Sequence, residues 1–109
     1  MLRTKKQEKK ICASCPLAKT ANLVGDTFTL LIIRDLLSGP KRFGELEKSL
    51  SGVSSRTITK KLQLLEKAEL IKRHSYSEKP PRVEYSLTPN GKALKNIVEK
   101  MRTYGEKFL

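Results

Sequence analysis

Apolar side chains at Ile58, Leu62 and Leu65 fall on one side of a helical wheel turning about 100° per residue. Arg56, Lys60, Gln63 and Lys67 fall on the other side, with Thr59 at its edge. The pattern predicts an amphipathic helix of about four turns over 54–68. Ser51-Gly52 makes the turn before it, Gly52 suiting a left-handed backbone, and Ser54 is placed to cap. Val53 and Ile58 have the spacing of a hydrophobic staple; Thr57 stands where a capping box would need Glu, so that motif is incomplete.

Upstream, Pro16 suits the first position of a helix, which makes Cys15 its N-cap. Leu17, Ala21, Leu23 and Val24 supply an apolar face and Gly25 ends it. Asp26 or Thr27 caps a second helix, Phe28 to Leu37, stopped by Ser38-Gly39-Pro40. Its Leu30-Leu31-Ile32-Ile33 run fits a buried strand equally by periodicity; length and the Gly-Pro stop favour helix. Lys41-Arg42-Phe43 leads into a short helix with Phe43, Leu46 and Leu50 inward. This helix, the turn and the helix over 54–68 make a helix-turn-helix.

Downstream, Leu70 to Tyr76 and Arg82 to Leu87 predict a hairpin, since Val83, Tyr85 and Leu87 alternate with Arg82, Glu84 and Ser86. The connection Ser77-Glu78-Lys79-Pro80-Pro81 is stiff and polar, and a hairpin in this place is a wing. Thr88-Pro89 starts a final helix running towards Leu109. Leu94, Ile97, Met101, Tyr104 and Phe108 form one seam on it, expected to pack partly on the chain's own core and distally on a second subunit. The expected fold class is mainly α with a small β-hairpin (α+β): a winged helix-turn-helix with additional N- and C-terminal dimerisation helices. The expected organisation is a basic disordered tail over 1–10 and a DNA-binding domain over 11–88, followed by a C-terminal dimerisation helix over 89–109. Within that domain the helix-turn-helix spans 43–68 and the wing 70–87.

Composition then narrows the partner. The chain has 109 residues, enough for one domain, and 38% of them are apolar. A formal charge of +12 on so short a chain points to a polyanion. An anionic membrane surface fits poorly, because the basic residues alternate with polar ones and no exposed helix pairs them with bulky aromatics. The longest apolar stretch, Phe28 to Leu37, is interrupted by Arg34 and Asp35, and the charged N-terminus lacks a signal peptide's apolar core. A cytoplasmic protein that binds double-stranded DNA is expected.

On the outer face of the 54–68 helix, Arg56 has the reach to bridge O6 and N7 of a guanine, and Gln63 to pair with adenine. Lys60 reaches a base or a phosphate, and Ser55 and Thr59 offer hydroxyls; Lys67 lies too far along. Arg42, Lys79 and Arg82 are placed as phosphate or minor-groove contacts, which position without reading sequence.

From Cys15 onward the chain resembles the HxlR family of winged-helix transcriptional regulators. The resemblance rests on C-P at 15–16, T-L-L-I-I-R-D-L-L-S-G-P-K-R-F-G-E-L at 29–46 and P-P-R-V-E-Y-S-L-T-P-N-G at 80–91. It implies a homodimer joined through N- and C-terminal helices, with both wings presented to operator DNA. The family pattern usually has Lys-Trp where this chain has Thr27-Phe28, and Phe28 is expected to fill the core site instead.

Cys12 and Cys15 form C-x-x-C. Structural zinc normally takes four protein ligands, and His74 is the one further His, so no metal is expected. A thioredoxin-like enzyme needs a βαβ context absent from the pattern. Cys15 at a helix N-terminus near Lys19 and the basic tail has the setting of a reactive thiol. Several HxlR-type regulators sense oxidants or electrophiles through a cysteine near the N-terminus, and Cys15 occupies the matching C-P position. A redox-sensing thiol and a pair of reduced thiols partly packed under the dimer interface both remain open. With one His, no Gly-rich phosphate loop and no nucleophile elbow, neither enzyme activity nor a cofactor is expected. A basic RNA-binding or ribosome-associated protein is the alternative; it would not need the final seam and would usually show exposed aromatics for base stacking. No small-molecule effector can be read from the pattern.

Overall fold

The computed structural model describes residues 15–109; the expected basic tail and Cys12 lie outside the described residues. Cys15 caps α1 (Pro16–Val24), its Sγ accepting the Ala18 N–H at 3.4 Å, and Gly25 closes the helix. Asp26 caps α2 (Thr27–Leu37), accepting the Thr29 N–H at 3.1 Å and its hydroxyl at 3.2 Å. Thr29, Ile32, Ile33 and Leu36 are its buried residues, a 3–4 spacing that makes the ambiguous apolar run helical. The chain continues through β1 (Lys41–Arg42), α3 (Phe43–Ser49), α4 (Ser55–Lys67), β2 (Ile71–Tyr76), β3 (Arg82–Leu87), α5 (Pro89–Lys92) and α6 (Lys95–Phe108). This is a winged helix-turn-helix.

Three features depart from the sequence-based expectation. The sheet has three strands rather than two, in the order β1-β3-β2 and antiparallel throughout. Lys41 pairs with Tyr85 and Arg42 with Glu84, giving the outer edge of β3 partners for its backbone groups. A two-residue strand is too short for any alternation to reveal it. Second, the last helix is divided, with a turn at Ala93-Leu94 between α5 and α6 and the Leu94 N–H donating to Gly91 O at 3.1 Å. That turn sends Leu94 into the chain's own core, where it is 9% exposed, so Leu94 belongs to the part of the seam expected to pack on that core. Third, Phe28 is 37% exposed and fills no core site, since it sits one residue short of the inward face that begins at Thr29.

Ile32, Ile33, Leu46, Ile58 and Leu62 are the largest fully buried side chains, drawn from α2, α3 and α4. Burial of each contributes about 1.5–3 kcal/mol. The three helices therefore fix one another's positions, and Leu87 and Ile71 at the base of the wing close the same core.

The junction between α4 and the wing is held by backbone geometry. Glu69 adopts φ 61, and the Leu70 N–H reaches back to Leu65 O while the Glu69 N–H reaches Glu66 O, each at 3.0 Å. This is a Schellman ending with Glu where glycine is usual. Thr88 then docks on the same corner: its hydroxyl donates to Glu69 O at 2.6 Å and its N–H to Leu70 O at 3.0 Å. The same Thr88 oxygen accepts the Gly91 N–H at 3.2 Å, capping α5 against the end of α4.

Candidate nucleic-acid interface

The start of α4 is built as its residues dictate. Gly52 takes φ 93 in the turn, and the Ser54 oxygen accepts the Thr57 N–H at 3.1 Å and donates to the Thr57 hydroxyl at 2.9 Å. Ile58, Leu62 and Leu65 are buried, which turns Arg56, Thr59, Lys60, Gln63 and Lys67 outward. Arg56, Thr59, Lys60 and Gln63 make no hydrogen bond or ion pair within the described residues. Spaced at i, i+3, i+4 and i+7, they form one continuous strip about two turns long. Arg56 lies in the first turn, where no acidic residue offsets the helix dipole; a cation there runs against local helix preference.

Two neighbours of the strip are already engaged. The Ser55 hydroxyl, assigned to base reading from sequence, donates to Glu47 Oε2 on α3 at 2.5 Å and so links the two helices. Lys61, one position from Lys60 but turned towards the body, reaches Asp26 Oδ2 at 3.2 Å. Partial burial pushes the Asp26 carboxyl up, yet the Thr29 N–H and then Lys61 outweigh it and hold the group below its ordinary range. The capping carboxylate of α2 thus also anchors the reading helix. Sequence reading missed both links because each partner lies on a different element.

The three cations assigned to the DNA backbone differ in how free they are. Lys79 is exposed in the connecting loop and free of partners within the described residues. Arg82 is engaged: its guanidinium lies 4.0 Å over the Tyr76 ring and meets Glu78 at 3.3 Å. Tyr76 and Arg82 are directly paired across the hairpin. The hydrogen bond to Glu84 pushes the Tyr76 phenol up, and His74 stacks edge-on at 4.3 Å. Arg82 therefore stiffens the hairpin that carries Lys79. Arg42 is exposed at the N-cap of α3, its N–H donating to Glu45 Oε1 at 3.0 Å.

Away from this face, the terminal helices leave apolar surface open. On α6, Ile97, Met101, Tyr104 and Phe108 are exposed, Phe108 at 63% and lying 5.0 Å from Tyr104 ring to ring. Of α1 only Val24 is buried, and Leu17 is 77% exposed. Cys15, at the head of α1, is an exposed free thiol.

Comparison with known proteins places this geometry. The model of the HxlR-like helix-turn-helix family matches residues 23–109. The chain belongs to the HxlR-like helix-turn-helix family. Among relatives of this HxlR-like chain is the HTH-type transcriptional regulator sll1512 of Synechocystis sp., 37% identical over 95 residues, covering 87% of this chain and 70% of the relative. The HTH-type transcriptional regulator YodB of Bacillus subtilis is 34% identical over 95 residues, covering 86% and 85% of the two chains. Among solved structures, the redox regulator HypR in its reduced form superposes with a TM-score of 0.81 at 33% identity, covering 84% of this chain and 91% of that one. Reduced YodB superposes with a TM-score of 0.76 at 34% identity, covering 86% and 93%. The HxlR-like chain is thus a transcriptional regulator of the helix-turn-helix type, a class that acts by binding DNA. None of its described helices is long and apolar enough to cross a membrane.

Proposed function

We propose that this regulator binds a pseudo-palindromic operator as a homodimer in the cytoplasm, with α4 in the major groove and the wing on the flanking backbone. The observation that carries the reading is the strip Arg56–Thr59–Lys60–Gln63, polar and unpartnered within the described residues, on a helix whose other face is buried. Fork-shaped and amide side chains in the first turns of such a helix match the donor and acceptor edges of guanine and adenine. Arg56, Thr59, Lys60 and Gln63 are the base readers in this scheme; Ser55 and Arg82 act by holding α4 and the wing. Arg42 and Lys79 contact phosphate or the minor groove.

The domain division follows: 11–88 carries the DNA-binding unit and 89–109 the pairing helix, assisted by α1. Exposed Met101, Tyr104 and Phe108 on one face of α6, with Leu17 on α1, support the pairing, because isolated chains rarely leave a contiguous apolar stripe in water. DNase footprinting tests both features together. The expected footprint has two related half-sites about 10 bp apart or at a multiple of that spacing. Protection of a single asymmetric half-site would remove the homodimer from the scheme.

Lys79→Ala is expected to weaken operator and random duplex alike and to shallow the salt slope by about 1, as loss of one phosphate contact does. A changed operator-to-random ratio, read by fluorescence anisotropy across a salt series, would instead make Lys79 a sequence reader.

Oxidant response through Cys15 is the finer part of the proposal. The exposed Cys15 thiol supports it, as does the similarity to the redox regulator HypR, which is solved in reduced and oxidised forms. Diamide is expected to release operator from the wild-type chain and to leave Cys15→Ser bound. Equal release from both proteins in a band-shift titration would exclude Cys15 as the sensor.

A further inference from the structure

A cavity of about 460 Å³ opens where the Ser38-Gly39-Pro40 turn meets the base of the wing and the start of α6. Leu36, Leu37 and Leu87 give it an apolar floor. Three lysines line it from three different elements: Lys72 on β2, Lys92 on α5 and Lys95 on α6. Lys72 stands directly opposite Ser86 in the strand ladder, so an ammonium and a hydroxyl share one wall. Among the described residues, no carboxylate, histidine or thiol lines the cavity. Within the described residues the ion pairing of these lysines is confined to Lys95 with Glu99, at a long 3.9 Å.

Three like charges around one concavity repel one another and focus positive potential into it. An anion of two charges relieves that repulsion, and phosphate oxygens accept from several ammonium groups at once. The apolar floor offers nothing to a bare ion but suits a carbon skeleton. The volume lies within the usual range for small-molecule sites, about 300–1,000 Å³. We propose that the cavity binds a small organic phosphate, a phosphomonoester whose dianion is held by Lys72, Lys92 and Lys95 and whose carbon skeleton lies on the leucines. With no carboxylate, histidine or thiol among its described lining residues to activate a serine hydroxyl, it is read as an effector site rather than a catalytic one. A DNA backbone is a poorer occupant, because nothing from α3, α4 or the 77–81 loop lines the cavity. The inference stands independently of the proposed operator binding.

Calorimetric titration of the full chain with phenyl phosphate, phenol and inorganic phosphate tests it. Phenyl phosphate is expected to saturate one site per chain, more tightly than either of its halves. Lys92→Gln/Lys95→Gln is expected to weaken it roughly tenfold or more, the loss of charge-assisted hydrogen bonds, with duplex-DNA affinity unchanged. Lys100→Gln/Lys107→Gln, which removes the same charge elsewhere on α6, is expected to keep wild-type binding. The proposal is overturned if phenyl phosphate gives no saturable heat or if both double variants weaken it equally. It is also overturned if Lys92→Gln/Lys95→Gln loses duplex affinity with no ester present, which would assign the lysines to the DNA backbone.

Discussion

Arg56→Ala is expected to erase much of the operator-to-random discrimination while leaving the fold intact. A guanidinium bidentate on guanine is worth roughly 1–3 kcal/mol of preference for the right base, so operator affinity should fall about 5- to 150-fold. Binding to random duplex should fall far less, by the loss of one cation. The side chain is exposed and unpartnered within the described residues, and it sits in the first turn of α4, where the dipole disfavours a positive charge. Its removal should therefore hold or slightly raise the melting temperature. This separates reading from folding: sequence that breaks a local rule with no compensating contact points to function. An Arg56→Ala chain that keeps the wild-type operator-to-random ratio would take Arg56 out of the reading set.

The second large effect is on stability. A Cβ built on Gly91 would run into the Leu70 carbonyl oxygen and lie 2.9 Å from Leu87 Cδ2. Gly91 is there for closeness rather than for unusual backbone, since it sits in the helical α5. The Leu70 carbonyl cannot retreat cheaply, because it also accepts the Thr88 N–H and follows the left-handed Glu69. Gly91→Ala is expected to destabilise by roughly 1–3 kcal/mol, the ordinary range for overpacking, despite alanine's better helix propensity. For a chain of this size that is a fall of about 4 °C or more in Tm. Gly44→Ala makes the same change in α3 with nothing within 4 Å and should be neutral or stabilising. If thermal denaturation put Gly91→Ala within a degree of wild type, the corner joining α4, the wing and α5 would be looser than its geometry implies.

The parts of the fold legible in sequence were those fixed by neighbours a few residues apart. The caps at Cys15, Ser54 and Thr88 each sit where a polar side chain meets N–H groups three residues on. The inward face of α4 follows from a 3.6-residue period. The hairpin follows from alternation in β3. Hidden features depended on elements distant in sequence. β1 has two residues and is a strand only because β3 offers it an edge. Phe28 and Leu94 are both apolar at helical spacings, yet one is exposed and the other buried. Rotation of α2 and the turn before α6 decide that, and neither is written into either residue's surroundings.

The strip on α4 shows the same division at the site. Sequence alone determined that residues 54–68 form a helix with a basic, amide-bearing face, because periodicity and capping are local and each residue carries its own side-chain chemistry. Tertiary structure decided which of the nearby cations and hydroxyls are free. Ser55 is taken by Glu47 on α3, Lys61 by Asp26 at the head of α2, and Arg82 by Tyr76 and Glu78 in the wing. Arg56, Thr59, Lys60 and Gln63 are left unpaired within the described residues. The physical reason is reach: a polar side chain seeks the nearest complementary group, and which group is nearest depends on how the elements pack.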